Sequence, residues 1–170
     1  MITIRPEKPD DASRVRSVNE LAFGQPAEAD LVERLRQACA DSLSLVAEDD
    51  AVVGHILFTP VAVEGARRRV DGMGFAPMAV LPDRQRRGIG SRLVRRGLDI
   101  FRERGCPFVV VVGHPEYYPR FRFEPASGHG LASQWEGVPD AVFMVLILDA
   151  RAMAGVSGVA RYRDEFSEVA

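Results

Sequence analysis

Between a predicted strand and a predicted helix, the chain reads Gln85-Arg86-Arg87-Gly88-Ile89-Gly90-Ser91. The first N–H groups of a helix have no partner within the helix, and the helix dipole favours negative charge at that end. The two glycines allow the backbone to approach a ligand without interference from a Cβ atom. Residues 84–96 contain six arginines and no acidic residue. Together these features predict a site for a ligand that carries several phosphate groups.

Two common phosphate-binding loops do not fit this stretch. A dinucleotide-binding fingerprint needs a third glycine at position 93, where this chain has Leu93. The loop of nucleoside triphosphatases needs a Gly-Lys-Ser/Thr sequence, and Lys8 is the only lysine of the chain. The remaining pattern is Gln-x-x-Gly-x-Gly after a strand and at the start of a helix. It resembles the pyrophosphate-binding motif of the GNAT superfamily of N-acetyltransferases, and Met78-Ala79-Val80-Leu81-Pro82 resembles the strand end that this family places before the loop.

A second stretch carries the same resemblance. Residues 115–123 read Pro-Glu-Tyr-Tyr-Pro-Arg-Phe-Arg-Phe, which is similar to the segment after the fifth strand of the family, where a tyrosine precedes a Gly-Phe pair. The double tyrosine, residues 113–115 and residues 53–60 are most similar to the YhbS-like branch of predicted N-acetyltransferases. The resemblance covers residues 2 to about 149. One departure is Arg122, which stands where the family usually has glycine and leaves the form of the local turn open.

The predicted elements alternate without internal repeats. The first helix is expected to turn Val15, Val18 and Leu21 toward the core, residues 126–140 to form a loop, and residues 141–148 to form the last strand. The resemblance implies a mixed α/β fold of the GNAT type, in which helices, about four of them, flank a central mixed sheet of about seven strands. The fourth and fifth strands splay apart. We expect one N-acetyltransferase domain over residues 1–149 and a C-terminal tail over residues 150–170, whose lapsed apolar pattern is typical of a mobile segment.

The resemblance also implies a reaction, the direct attack of a neutral amine on the thioester of acetyl-CoA, which serves as co-substrate. The expected acetyl-CoA contacts are the strand end and the loop, namely Met78, Ala79, Val80, Gln85, Arg86, Arg87, Gly88, Ile89, Gly90 and Ser91. Backbone N–H groups near Ala79 and Val80 suit the charge that develops on the thioester oxygen. Tyr118 is the expected proton donor to the leaving thiolate, because a phenol has an ordinary pKa of about 10 and a thiol one of about 8.5.

The general base is less evident from the sequence. The fourth predicted strand has no carboxylate near its end, so the candidates are Glu28 on the second helix and His114 after the fifth strand. For both residues the alternative interpretation is an ordinary surface or structural position. His55 lies in an apolar strand, which favours a hydrogen-bonded core histidine. Trp135 precedes the last predicted strand and is a candidate for the lining of the acceptor site.

Composition restricts the class of protein. The net charge of −2 over 170 residues gives no bias toward nucleic acid or a membrane surface. No apolar run reaches the about 18 residues that span a membrane, and the N-terminus does not have the pattern of a signal peptide. The cysteines, Cys39 and Cys106, and the three histidines lack the spacing of a metal site. From composition we therefore expect a cytoplasmic protein without a metal.

Two other functions stay open at this point. The chain could be a non-catalytic acyl-CoA-binding sensor or regulatory protein, or a nucleic-acid-binding module that uses its arginine-rich helix. Against the second alternative, no aromatic residue lies among residues 84–96. The amine of the acceptor could belong to an antibiotic, a polyamine, an amino acid or a protein. The sequence decides neither this nor the preferred acyl group or the oligomeric state.

Overall fold

The computed structural model describes residues 1–168. In chain order the elements are β1 (Thr3–Pro6), α1 (Ala12–Phe23), α2 (Ala27–Ala38), β2 (Leu43–Asp49), β3 (Ala51–Glu64), β4 (Arg69–Val80), α3 (Ile89–Glu103), β5 (Phe108–Val112), β6 (Glu124–Pro125), β7 (Leu131–Ser133), β8 (Phe143–Ile147), α4 (Ala150–Met153) and β9 (Gly158–Arg161). The chain forms two compact units. The first comprises Met1–Thr59, Ala76–Asp99 and the segment from Asp164, and the second comprises Pro60–Phe75 and Ile100–Arg163.

The first two helices follow from their local sequence. A 3-10 turn at Pro9–Asp11 precedes α1, and the Asp11 carboxylate accepts the Lys8 N–H at 2.7 Å. Val15 and Val18 are buried as predicted, whereas Leu21 is 59% exposed. The expectation for Leu21 was wrong because its position is rotated well away from the inward stripe, which passes instead through the buried Asn19. In α2 the buried residues include Leu31, Val32 and Leu35, which recur at the spacing of one helix face.

Close packing of α3 on β3 depends on two glycines of the first unit. Gly54 faces the helix, and a Cβ there would lie 3.1 Å from Ile89 Cγ2 and 3.3 Å from Leu93 Cδ1. At Gly97 of the helix, a Cβ would collide with the ring of Phe58. The register between β2 and β3 shifts next to Gly54, as in a β-bulge. These contacts fix the helix whose first turn follows the loop.

The strands form one mixed sheet in the order β1-β2-β3-β4-β5-β8-β6, and β9 pairs with both β3 and β7. β4 and β5 are parallel, with Met73 opposite Val109 and Gly74 opposite Val110. Beyond this register β4 continues to Val80 and β5 to Val112, and Pro77 of β4 has no N–H to donate. The predicted fold class, with its splay between the fourth and fifth strands, is confirmed.

Two short strands were not expected from the sequence. Residues 126–140 contain a 3-10 turn and β7, so the prediction of a loop there was wrong. The predicted strand at 141–148 is confirmed as β8, but it is not the last strand, because β9 follows it. The sheet accordingly has nine strands within residues 1–168. β7 has three residues and β9 four, too few for an alternating pattern to stand out, and they form because they pair with each other.

Residues 150–168 of the predicted tail contain α4, β9 and a 3-10 turn. The carboxylate of Asp149 accepts the N–H groups of Arg151 and Ala152, both at 3.1 Å, and so caps α4. Residues 169 and 170 lie outside the described part of the chain. The boundary after residue 149 and the mobility of the tail stay predictions. No helix in the described residues has the length and apolar character needed to cross a membrane.

Candidate functional site

The predicted phosphate loop connects the end of β4 to the start of α3. The side-chain amide of Gln85 donates to the Val80 carbonyl at 3.0 Å, which ties the loop to the strand end. Gly88 accepts the Arg92 N–H at 3.1 Å, so the helical hydrogen bonds begin at Gly88. The N–H groups of the intervening first turn precede the helical ladder, as an anion site requires. The structure therefore brings residues 85–91 together as a loop and helix N-terminus.

The backbone of this loop is unusual at two positions. Arg86 and Gly88 both have left-handed conformations, with φ of 63° and 81°. No heavy atom would lie within 4 Å of a Cβ at Gly88. Glycine at this position is therefore needed for the conformation of the loop and not for space within the folded protein. The surrounding space is open to an incoming ligand.

The arginines near the loop have different environments. Arg84 forms an ion pair with Asp49, at 2.8 Å between Nη1 and Oδ2, and is half-buried. Arg86, Arg87, Arg92 and Arg96 are exposed. The positive charge available to a ligand thus comes from the loop itself and from the solvent face of α3, while Arg84 anchors the start of the loop to the end of β2.

The strand end that precedes the loop is largely enclosed. Ala79 is buried, and Met78 and Val80 are half-buried. The Leu81 N–H donates to the Val53 carbonyl at 2.9 Å, which holds the end of β4 beside β3. The Val80 carbonyl is occupied by Gln85, as described above. The use of the Ala79 and Val80 N–H groups to stabilise negative charge stays a prediction.

In the second unit, Tyr118 lies within a cluster of aromatic rings. Its ring centroid is 5.0 Å from that of Tyr117, 5.5 Å from that of Phe75 and 6.0 Å from that of Phe123. A Cβ at Gly113 would collide with the ring. Burial raises the pKa of the Tyr118 hydroxyl above its usual range, and the neighbouring Tyr117 raises the pKa further.

Arg122 forms the turn for which the family usually has glycine. Its φ is 74°, in the left-handed region, and its N–H donates to the Pro119 carbonyl at 2.9 Å. The turn that follows Tyr118 is therefore made with an arginine, at the conformational cost that a side chain has in this region.

The two candidate bases lie in different units. Glu28 is half-buried in the first turn of α2, and its carboxylate accepts the Gln25 side-chain amide at 3.0 and 3.1 Å. His114 is exposed in the second unit, and its carbonyl accepts the N–H groups of Tyr117 and Tyr118 at 3.1 and 3.4 Å. Neither contact is specific to a base, so both assignments stay predictions.

His55 is a hydrogen-bonded core histidine, as predicted. It is completely buried, and its Nδ1 lies 3.1 Å from the Asn19 amide nitrogen while its Nε2 lies 2.8 Å from the Ser44 hydroxyl. Ser44 donates in turn to Glu7, which forms an ion pair with Arg36. Burial, and to a smaller extent Arg36, lowers the pKa of His55 to about 3. The imidazole is therefore neutral and structural.

Trp135 contacts a residue that the sequence analysis did not identify. Its ring lies 4.9 Å from that of Tyr162, which follows β9 and is 8% exposed. Tyr162 stands between two arginines in a segment without apolar periodicity, so no local signal marks it as buried. No group of three or more His, Cys, Asp or Glu residues within the described chain is placed to hold a metal ion.

Comparisons with known proteins agree with these features. Residues 3–126 match the family model described as an acetyltransferase (GNAT) domain. The chain is 39% identical over 166 residues to the uncharacterised N-acetyltransferase YhbS of Escherichia coli strain K12, which covers 96% of this chain and 98% of the relative.

Two solved structures extend the likeness to the whole fold. The crystal structure of the GNAT family N-acetyltransferase YhbS from Escherichia coli in complex with CoA has a TM-score of 0.90 and 38% identity, and the match covers 98% of this chain and 92% of the other. A GNAT family acetyltransferase from Brucella melitensis in complex with acetyl-CoA has a TM-score of 0.78 and 36% identity, with 98% of each chain covered. The glycine loop, the splayed strands and these matches together show that the chain belongs to the GNAT family of acetyltransferases.

Proposed function

We propose that this protein transfers an acetyl group from acetyl-CoA to a primary amine. The observation that carries the proposal is the loop at residues 85–91, where a helix N-terminus, a left-handed glycine and exposed arginines coincide. This arrangement suits a pyrophosphate group, which makes charge-assisted hydrogen bonds to backbone N–H groups. The complexes of relatives with CoA and with acetyl-CoA support the same ligand.

Within the proposal, each part of the co-substrate has a place along the chain. The pyrophosphate binds the loop, and the pantetheine arm runs from the strand end at Met78–Val80 along β4. Exposed Arg86 and Arg87 are the candidates for the ribose 3′-phosphate. The N–H groups of Ala79 and Val80 are the candidates for the developing oxyanion, because fixed backbone dipoles stabilise charge without reorganisation during the reaction.

The reaction requires one new bond and one broken bond. The amine nitrogen forms a bond to the thioester carbon, the C–S bond breaks, and CoA leaves as a thiolate. The amine proton passes to a base or to water. A typical alkylammonium has a pKa of about 10, so only its neutral fraction attacks. We assign the base to His114 or Glu28, acting directly or through water.

Tyr118 is the proposed donor to the leaving sulfur. Because burial raises the pKa of its phenol, the group stays protonated at the pH values at which an enzyme works. The leaving thiolate, whose conjugate thiol has an ordinary pKa of about 8.5, is a weaker base than the phenolate of Tyr118, so complete proton transfer from Tyr118 is unfavourable. We therefore assign Tyr118 a hydrogen bond that strengthens as negative charge develops on sulfur, with the final proton taken from solvent.

The proposal is tested by mixing the protein with acetyl-CoA and each of a set of amines, and by measuring the release of free thiol. Suitable amines are spermidine, kanamycin, 2-phenylethylamine, free lysine and a lysine-containing peptide. Thiol release that depends on both the amine and the protein is the expected result. Tight calorimetric binding of acetyl-CoA without thiol release for any amine would instead favour the acyl-CoA sensor.

A further inference from the structure

Two tyrosines of the second unit contact consecutive residues of β4. A Cβ at Gly74 would lie 2.9 Å from Cε2 and 3.2 Å from Cζ of Tyr162, so the Tyr162 ring rests against the strand backbone at this point. The next residue, Phe75, has its ring 5.5 Å from that of Tyr118. Successive residues of a strand face opposite sides of the sheet. Tyr162 and Tyr118 therefore approach β4 from its two opposite faces.

The point of contact coincides with the start of the splay. Gly74 pairs with Val110, which is the last residue pair in the register of β4 with β5. Past this pair the two strands no longer share a ladder, although both continue. The two tyrosines thus flank the position at which the sheet opens, one from each face.

Tyr162 is held in place by other residues of the second unit. Its N–H donates to the side-chain oxygen of Gln134, and the ring of Trp135 packs against its own ring at 4.9 Å. Burial is the main cause that raises the pKa of its hydroxyl, with a smaller electrostatic contribution from Tyr118. Trp135 is half-buried, so one part of the aromatic pair reaches solvent.

We propose that Trp135 and Tyr162 form the wall that receives the acceptor amine, on the face of β4 opposite Tyr118. This inference rests on the proposed function. In the proposed reaction the amine attacks the thioester carbon from one side, while Tyr118 donates a hydrogen bond to the leaving sulfur from another side. The two faces of β4 provide these two sides. A wall of two aromatic rings favours an amine on an aromatic skeleton, because ring–ring contacts add to apolar burial.

The test compares two amines that share an aminoethyl group, 2-phenylethylamine and ethylamine. In the wild-type protein, kcat/KM for thiol release should be about tenfold higher for the amine with the ring, as one aromatic contact predicts. Tyr162→Leu and Trp135→Leu should each reduce this ratio to near one, with the KM for acetyl-CoA changed by less than about twofold. Trp135 is half-buried, so its variant keeps the test valid if the Tyr162 variant does not fold.

Tyr117→Leu is the matched control. It removes a ring that contacts Tyr118, on the other face of the strand, and should leave the ratio between the two amines unchanged whatever it does to the absolute rates. A ratio that persists in both the Tyr162 and the Trp135 variants would overturn the proposal. So would a ratio near one in the wild-type protein.

A second readout separates this proposal from the proposed function. Trp135 is the only tryptophan of the chain, so its emission reports on the wall directly. With CoA bound, 2-phenylethylamine should change the Trp135 emission. In the Tyr162→Leu variant, the amine concentration at the midpoint of that titration should be about tenfold higher. If no amine releases thiol but this response is seen, the transfer reaction fails and the binding wall stands. If the amine changes neither thiol nor emission, the wall is contradicted as well.

Discussion

The loop at residues 85–91 offers backbone groups to a ligand, whereas the aromatic cluster around Tyr118 offers a side chain. The loop is exposed and offers backbone N–H groups, and its conformation depends on φ values at Arg86 and Gly88. The cluster is buried and offers one phenol, which is positioned by rings and by the glycine at 113. A site built from backbone tolerates changes of side chain but not of backbone conformation. A site built from one side chain has the opposite sensitivity.

The largest effect is expected from a change of backbone conformation in the loop. Gly88→Val combined with Gly90→Val puts a β-branched residue at position 88, where φ is 81°, and a second one in the first turn of α3, so the anion site should be lost. We expect the Kd for acetyl-CoA, measured by calorimetry, to rise by a factor of at least about 1,000, which corresponds to about 4 kcal/mol of binding free energy.

Gly105→Val is the control for this change. Gly105 follows α3 and has a φ of 73°, and a Cβ at this position, as at Gly88, would have no heavy atom within 4 Å. The variant should show a comparable loss of thermal stability with acetyl-CoA affinity intact. If the double variant binds acetyl-CoA as the wild type does, the loop is not the pyrophosphate site.

Loss of the Tyr118 hydroxyl tests the other region. Tyr118→Phe keeps the ring and its packing, so the affinity for acetyl-CoA should change little while kcat falls by about 100-fold, as expected for the loss of one hydrogen bond that strengthens in the transition state. Because burial raises the pKa of Tyr118, ionisation of this phenol should not lower the wild-type kcat at any pH below about 10. Wild-type kcat in the variant would make Tyr118 a packing residue, and weakened binding with normal kcat would make it a ligand contact.

A smaller effect is expected from the side chains of the loop. Arg86→Glu or Arg87→Glu should weaken CoA by about tenfold more than dephospho-CoA, since exposed charge-assisted contacts lie at the low end of about 1.5–3 kcal/mol. Calorimetry with both ligands measures the difference. Equal losses for CoA and dephospho-CoA would show that neither arginine contacts the 3′-phosphate.

The smallest effect, on the free energy of unfolding, concerns two arginines in the left-handed conformation, one in each region. Arg122→Gly should increase the free energy of unfolding by about 0.5–1 kcal/mol, because relief of the left-handed strain exceeds the entropy that glycine adds to the unfolded chain. Arg86→Gly, at a φ of 63°, should give a similar gain. Urea denaturation with unchanged slopes measures both, and a loss of stability in either variant would contradict this view of the turn concerned.

The same two regions show how far sequence analysis reaches. The loop could be predicted because its signals are local, namely the spacing of the glycines, the run of arginines and the position before a helix. Tyr118 was found through a segment of adjacent residues. Tyr162 was missed because its burial depends on β9, which exists through pairing with β3 and β7. Leu21 was misplaced because a helix makes one turn every 3.6 residues, so two successive steps of three residues, from Val15 to Val18 to Leu21, drift away from the buried face.

The buried chain through His55 bounds the acid tolerance of this protein. The pKa of His55 is about 3 in the folded state, while a histidine in an unfolded chain has a pKa of about 6.5. The contribution of neutral His55 to the free energy of unfolding is thus fully present above about pH 6.5. It declines by about 1.4 kcal/mol per pH unit as the pH falls toward 3, because the histidine of the unfolded chain takes up a proton first. Glu7 lies 4.0 Å from the imidazole, but Arg36 opposes its charge. Acid therefore acts first through this one imidazole, well above the pH at which Asp11, with a pKa of about 2, loses its charge.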